Sequence, residues 1–315
     1  MYRLGIDLGG TNIAVGVVDD DFKIVGRAKT KTNANRPYEE IVDDIAATVL
    51  AAVEDAGLKV QDIVSMGIGT PGSIDPVNGV VKYTNNLPFK NLPICDMLKN
   101  KIGVNFYIDN DANAAAFGEY LAGAGKNASV FVAITLGTGV GGGIVINDSV
   151  FSGSNYAGGE LGHTVIVMDG EPCTCGRRGC FEAYASATAL VRQTKKAMKE
   201  NLNSLMWTVC GGDIDNVNGI TAFDAWKKGD ETATKVVNTY FKYISVGLAN
   251  IINIFQPEVV CIGGGISGEK ERLTDPVNRL VNEQIYGGEP KNRVTVAQLG
   301  NDAGIIGAAF LDKMH

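Results

Sequence analysis

The sequence predicts an α/β protein built from a duplicated domain, and three observations point to it. The first 20 residues read as strand, glycine turn, strand: "YRLGID", "LGGTN", "IAVGVV". The same pattern recurs 128 residues later as "VFVAIT", "LGTGV", "GGGIVI". At that offset Ile6/Ile134, Leu8/Leu136, Gly9/Gly137 and Asp20/Asp148 are identical, and Val17/Val145 and Val18/Ile146 are apolar in both copies. Finally, 315 residues with 45% apolar and 20% charged side chains suffice for two packed domains or one large one.

The remaining elements follow in order. "YEEIVDDIAATVLAAVEDAG" carries a helical apolar period, follows Pro37 and stops at Gly57. "DIVSMGIG" is a buried strand that runs into "TPGSIDPVNG", a turn-rich loop. "NFYID" is a short strand, and "NDANAAAFGEYLAGAG" opens a helix on capping residues and ends it in glycines. In the second half, "ASATALVRQTKKAMKEN" and "ETATKVVNTYFKYISVGLANIINIF" are helices, the latter stopped by Pro257. "EVVCIGGGIS" is a strand entering a glycine turn, "RVTVAQLG" another strand, and "AGIIGAAFLDKM" a closing helix.

Composition excludes several classes. Net charge is -7 and the pI is about 5.0, which argues against non-specific nucleic-acid binding. "MYRLGIDLGG" carries no apolar signal run, and no stretch approaches the ~18 apolar residues of a membrane span. The expectation is a cytoplasmic protein, with no membrane association and with reduced thiols.

Glycines cluster after three predicted strands, in "DLGGTN", "LGTGVGGG" and "IGGGIS". Glycines there expose backbone N–H groups and allow close approach to phosphates, which suggests a nucleotide with several of them. The plain alternative is three tight turns. Gly137, Gly139 and Gly142 match the spacing of the dinucleotide fingerprint. However, the following "GIVIND" reads as a strand rather than the helix which that motif opens. No G-x-x-x-x-G-K-[ST] is present, which excludes a P-loop.

Asp7 ends the first strand beside Gly9, Gly10 and Thr11, where a carboxylate can orient hydrated Mg²⁺ on a triphosphate. Thr11 and Thr138 can donate to phosphate oxygens, or simply cap turns. Asn110 and Asp111 stand at a strand-to-helix junction. They suit N-capping, and Asp111 also suits a general base held by the helix N-terminus.

"HTVIVMDGEPCTCGRRGC" gathers His163, Cys173, Cys175 and Cys180, four ligands of the kinds that zinc takes in a tetrahedron. Gly176 and Gly179 let the chain turn back on the metal. The alternative is buried free thiols and a surface histidine. A fully ligated ion leaves no open position for catalysis, so the metal is read as structural Zn²⁺. Cys95, Cys210 and Cys261 are scattered and fit packing roles. Glu160 and Glu182 bracket this loop, so a clamped metal fixes two carboxylates able to meet a polyhydroxyl substrate, though each taken alone reads as a solvated surface acid.

These pieces resemble the ROK family of sugar kinases, repressors and relatives, within the actin-like and hexokinase-like ATPases. "IDLGGTN", "GIGTPGSID", "IDNDANAAA", "LGTGVGGG", "GGELGH", "CTCGRRGCFE" and "IGGGI" occur in family order across nearly the whole chain. The resemblance implies a duplicated RNase-H-like fold of two lobes, with sugar and ATP in an interdomain cleft. The small N-terminal lobe is expected over 1–121 plus 301–315, and the large lobe over 122–300 with the zinc loop 163–180. It implies Asp111 as catalytic base, and Gly72, Asn85, Asn110, Glu160, His163 and Glu182 as sugar ligands. It implies His163, Cys173, Cys175 and Cys180 as zinc ligands, with one His163 ring nitrogen for the metal and one for the sugar. Asp7, Gly9, Gly10, Thr11, Asn12, Thr138, Gly139, Gly264 and Gly265 match nucleotide-site positions. ATP and Mg²⁺ are the implied co-substrate and cofactor, and a homodimer the implied assembly.

The "SAT" after Glu182, in "CFEAYASATALVR", is most similar to the family's bacterial glucokinase branch, so phosphorylation of the glucose 6-hydroxyl is expected. N-acetylmannosamine, N-acetylglucosamine or fructose kinase activity is the alternative within the family. A non-catalytic sugar sensor related to its repressors is disfavoured, because the chain opens directly on the first strand. A two-carboxylate glycosidase leaves the three glycine turns unexplained.

Overall fold

The computed structural model describes residues 1–287 and 293–314. The chain divides into two compact units. One comprises Met1–Val132, Gly143–Gly159 and Gln298–His315, the other Ala133–Gly142 and Glu160–Ala297.

The first unit opens with strands β1 (Tyr2–Leu8), β2 (Asn12–Val18) and β3 (Ile24–Lys31), then helix α1 (Tyr38–Asp55). After β4 (Ile63–Thr70) come the short strands β5 (Ser73–Asp75), β6 (Val80–Tyr83) and β7 (Lys90–Leu92) and helix α2 (Ile94–Ile102). Strand β8 (Phe106–Asn110) leads directly into helix α3 (Asp111–Ala122). A five-stranded sheet has the order β3-β2-β1-β4-β8. Its first three strands are antiparallel, whereas β1, β4 and β8 run parallel.

The second set begins with β9 (Val130–Leu136), β10 (Val140–Ile146) and β11 (Ser149–Val150). Helices α4 (Glu182–Ala185), α5 (Ala187–Glu200), α6 (Leu205–Val209), α7 (Thr221–Trp226) and α8 (Glu231–Phe255) follow. The chain ends through β12 (Val259–Gly263), α9 (Glu271–Asn282), β13 (Arg293–Val296) and α10 (Asp302–Ala309). The second five-stranded sheet has the order β11-β10-β9-β12-β13. Within its own set, each sheet therefore runs third, second, first, fourth, fifth. β1 and β9, and β2 and β10, begin and end 128 residues apart, so the repeat read from the sequence is a repeat of strands.

Burial explains why these segments take these forms. Leu4, Ile6, Leu8, Ile13, Val15 and Val17 are all at most 1% exposed. α1 buries Ile41, Val42, Ile45, Val49, Ala52 and Val53, a stripe at helical spacing. α8 starts on Asp230, whose side chain accepts from the Ala233 N–H, and stops at Gln256 in the left-handed region just before Pro257. The "TPGSIDPVNG" stretch is not all loop, because its Ser73–Asp75 pairs with β6 to start a separate three-stranded sheet, β5-β6-β7. Strands of three or four residues between prolines and glycines leave no period to read. The segment after Gly137-x-Gly139 is strand β10, so the dinucleotide fingerprint is absent despite its spacing. No helix among the described residues is long and apolar enough to cross a membrane.

Candidate functional site

Parallel strands bring their C-terminal ends to one edge of a sheet, where α/β proteins bind ligands. In the first unit Asp7 lies beside Gly69 in the β1/β4 register, and Gly69 beside Asp109 in the β4/β8 register. A Cβ at Gly69 would sit 2.9 Å from the Ala114 Cβ, so glycine lets α3 descend onto the strand. Asp111, the first residue of α3, thereby comes close enough to Asp7 for the two carboxylates to repel.

Asn110 caps α3, its Oδ1 accepting from the Ala112 N–H at 2.9 Å. Its Nδ2 donates to the Gly72 carbonyl at 3.3 Å, which ties the junction to the "TPGS" loop. Gly72 has φ 109°, and a Cβ there would lie 2.2 Å from the Tyr83 carbonyl oxygen, so both conformation and space require glycine. Asp109, buried behind them, accepts from the Asn110 N–H at 2.6 Å and from the Asn113 amide at 2.9 Å. Sequence reasoning misses Asp109; the acidic residue in "YIDND" is its only signal.

Burial raises the Asp111 carboxyl above the usual carboxylate range, and the Ala112 N–H offsets part of that rise. Asp7 is pushed up to about 6, first by burial and then by the Asp111 charge, with Lys29 opposing. Among the described residues no donor is bonded to the Asp7 carboxylate. Asp7, a carboxylate with raised proton affinity and free lone pairs, fits a hard cation such as Mg²⁺.

The β1–β2 turn is braced by Thr32, which donates from its hydroxyl to the Gly9 carbonyl at 2.6 Å and from its N–H to the Thr11 carbonyl at 3.0 Å. The Gly9 N–H donates to the Asn12 carbonyl at 2.9 Å. Gly10 faces the loop carrying Asn85, since a Cβ on it would lie 3.4 Å from the Asn86 Cβ. The Thr11 and Asn85 side chains are exposed.

In the second unit, ligand atoms of His163, Cys173, Cys175 and Cys180 all lie within 4.8 Å of one another. His163 Nδ1 is 3.7 Å from Cys173 Sγ, and Cys175 Sγ is 3.7 Å from Cys180 Sγ. Zinc–thiolate bonds of about 2.3 Å set sulfurs about 3.8 Å apart in a tetrahedron, so the donor set fits zinc. Gly176 and Gly179 both adopt positive φ in the turn that closes the loop. The other ring nitrogen of His163, Nε2, lies 4.0 Å from Glu160 Oε2. His163 thus offers one nitrogen to the metal cluster and one to the side of Glu160.

Glu182 Oε2 accepts from the Val140 N–H at 3.0 Å, beside the turn that holds Thr138 and Gly139. Gly264 has φ 87°, and a Cβ on it would lie 2.4 Å from the Leu136 carbonyl oxygen. The β12 exit at Gly264 and Gly265 is therefore pressed against the end of β9, next to the same turn. Within the first unit the fold gathers Asp7, Gly9, Gly10, Gly72, Asn110 and Asp111 at one sheet edge. Within the second it gathers Glu160, His163 and the three cysteines around the zinc loop, and Glu182, Thr138, Gly139 and Gly264 around the glycine turn.

The model of the ROK family matches residues 3–314. The chain is 38% identical over 312 residues to a glucokinase of Thermotoga maritima, covering 98% of this chain and 96% of that relative. The crystal structure of a ROK family glucokinase from Streptomyces griseus, in complex with glucose and AMPPNP, is similar at TM-score 0.81 and 36% identity over 99% of both chains. A ROK hexokinase from Thermus thermophilus is similar at TM-score 0.84 and 31% identity, again over 99% of both chains. On a match that spans the whole chain, this protein belongs to the ROK family.

Proposed function

We propose that the chain is an ATP-dependent glucose kinase that phosphorylates the 6-hydroxyl of the sugar. The observation that carries this reading is its full-length similarity to a glucokinase crystallised with both glucose and an ATP analogue. Asp111 is the base, taking the proton of the primary hydroxyl as that oxygen attacks the γ-phosphorus. Its burial makes the ionised carboxylate a stronger proton acceptor, which suits that task. Asn110 and the Gly72 loop, with Asn85, Glu160, His163 and Glu182, receive the sugar hydroxyls. Losing a hydroxyl would leave one of these polar groups unpaired, so the set favours a fully hydroxylated hexose.

Backbone N–H groups around Gly9, Gly10, Thr11 and Asn12, around Thr138 and Gly139, and around Gly264 and Gly265 hold the phosphates of ATP. Asp7 would hold Mg²⁺, which when bound supplies positive charge against the triphosphate. His163, Cys173, Cys175 and Cys180 would hold a structural Zn²⁺ that stiffens the loop carrying Glu160 and His163. ³¹P NMR of the product formed from glucose and MgATP tests the reading. Glucose 6-phosphate is expected; phosphate on another hydroxyl, or no phosphate ester at all, contradicts it.

A further inference from the structure

Glu182 has more partners than a sugar ligand needs. It stands two residues after the zinc-loop Cys180 and opens α4. Its Oε2 accepts from the Val140 N–H at 3.0 Å. A Cβ at Gly139 would lie 2.3 Å from that oxygen, so the carboxylate rests directly on the glycine turn. Its Oε1 accepts from the Thr174 hydroxyl at 3.2 Å, and Thr174 sits between the two cysteines 173 and 175.

The residues that follow hold the same turn. The Ala187 N–H donates to the Gly137 carbonyl at 2.8 Å, and the Thr188 hydroxyl to the Thr138 carbonyl at 2.8 Å. Gly137, Thr138 and Val140 are thus all bonded to the segment 182–188. On its other side this segment has little slack. Cys180 and Phe181 are 0% exposed, and the Phe181 N–H donates to the Thr164 carbonyl at 2.8 Å.

Charge makes the two donors to Glu182 necessary. Three thiolates around Zn²⁺ sum to one negative charge, and Cys173 Sγ lies 3.4 Å from Glu182 Oε1. A metal-bound thiolate donates no hydrogen bond. With Cys173 as a thiolate, the donors left to the carboxylate among the described residues are the Val140 N–H and the Thr174 hydroxyl.

We infer that Glu182 is a positioning residue that fastens the zinc loop to the Gly137–Gly139 turn, so that zinc and Thr174 set the affinity for the nucleotide phosphates. This rests on the proposed reading of Thr138 and Gly139 as phosphate ligands.

Binding of MgAMPPNP and of glucose, each measured alone by calorimetry, tests the link without relying on turnover. Zinc is counted by elemental analysis, and circular dichroism checks that each protein is folded. Thr174→Val is expected to keep its zinc but to bind MgAMPPNP about tenfold more weakly, the effect of one lost hydrogen bond to a charged group. Thr174→Ser, which restores the hydroxyl, is expected to restore that affinity. Wild type stripped of zinc by a chelator is expected to lose MgAMPPNP affinity by at least the same factor and to regain it when zinc is returned. Wild-type affinity in Thr174→Val, or undiminished MgAMPPNP binding by folded zinc-free protein, overturns the inference and leaves the kinase reading standing. Failure of the zinc-loaded wild type to bind MgAMPPNP at all overturns both.

Discussion

In the proposed mechanism Asp111 combines two roles that its position makes compatible. It begins α3, where its carboxylate accepts from the Ala112 N–H at 2.9 Å, and its burial raises its proton affinity. Asp111→Asn retains the acceptor oxygen and removes the base. Steady-state kinetics should show kcat falling by roughly 10²-fold or more while glucose binding persists. Near-normal turnover would remove Asp111 from the chemistry. The raised proton affinity should also place the acid limb of a measured kcat–pH profile above the pH of an ordinary carboxylate. Asp7 gives a stability prediction. Its folded-state value, about 6, lies above that of the unfolded chain. Folding therefore disfavours the ionised form, so stability falls as pH rises from about 4 to about 6 and the full cost remains above that, on the order of 2–3 kcal/mol. In metal-free protein at pH 7.5, Asp7→Asn should raise Tm while lowering activity; an unchanged or lower Tm would contradict the assigned burial. At this scale the sequence is informative about single junctions such as "IDNDA". It is silent on the hydrogen bond between Val140 and Glu182, which spans 42 residues of chain.

Two elements govern how well the site is held. α3 and α10 cross backbone to backbone. A Cβ at Gly307 would lie 1.7 Å from the Ala114 carbonyl oxygen, and one at Gly118 would lie 2.1 Å from that of Ala303. Even one methyl group has no room, and both neighbours are backbone. Gly307→Ala should cost about 1–3 kcal/mol as overpacking, read as a lower midpoint in urea, and should tilt the helix that carries Asp111. The loop from His163 to Cys180, proposed to hold zinc, is the second element. The purified protein should contain about one zinc per chain, and Cys175→Ser should lower that content; full activity in protein shown to hold no zinc would end the structural-metal reading. Long elements such as α1 and α8 are legible because many turns repeat one apolar stripe. The strands β5, β6 and β7 are not, being too short for any period, and α9 is obscured by Pro276 inside it.

For the whole molecule, the repeat is what the sequence reveals best. A handful of identities at one offset marks two sheets whose strands are ordered alike. Hydrophobic strands around a glycine turn are constrained both by the core beneath and by the ligand edge above, so both copies keep the pattern. The rest of each copy has diverged: the β5-β6-β7 sheet appears in the first, and the cysteine loop with its surrounding helices in the second. Glucose kinase activity, proposed for the molecule as a whole, is measured most directly as the initial rate of ADP release from MgATP. The rate should be compared without sugar and with limiting glucose, mannose, fructose, 2-deoxyglucose, N-acetylglucosamine or N-acetylmannosamine. Sugar-dependent release is expected, with the highest kcat/KM for glucose. A faster N-acetylhexosamine or fructose would overturn glucose as the substrate, and ADP release indifferent to every sugar would contradict the kinase itself.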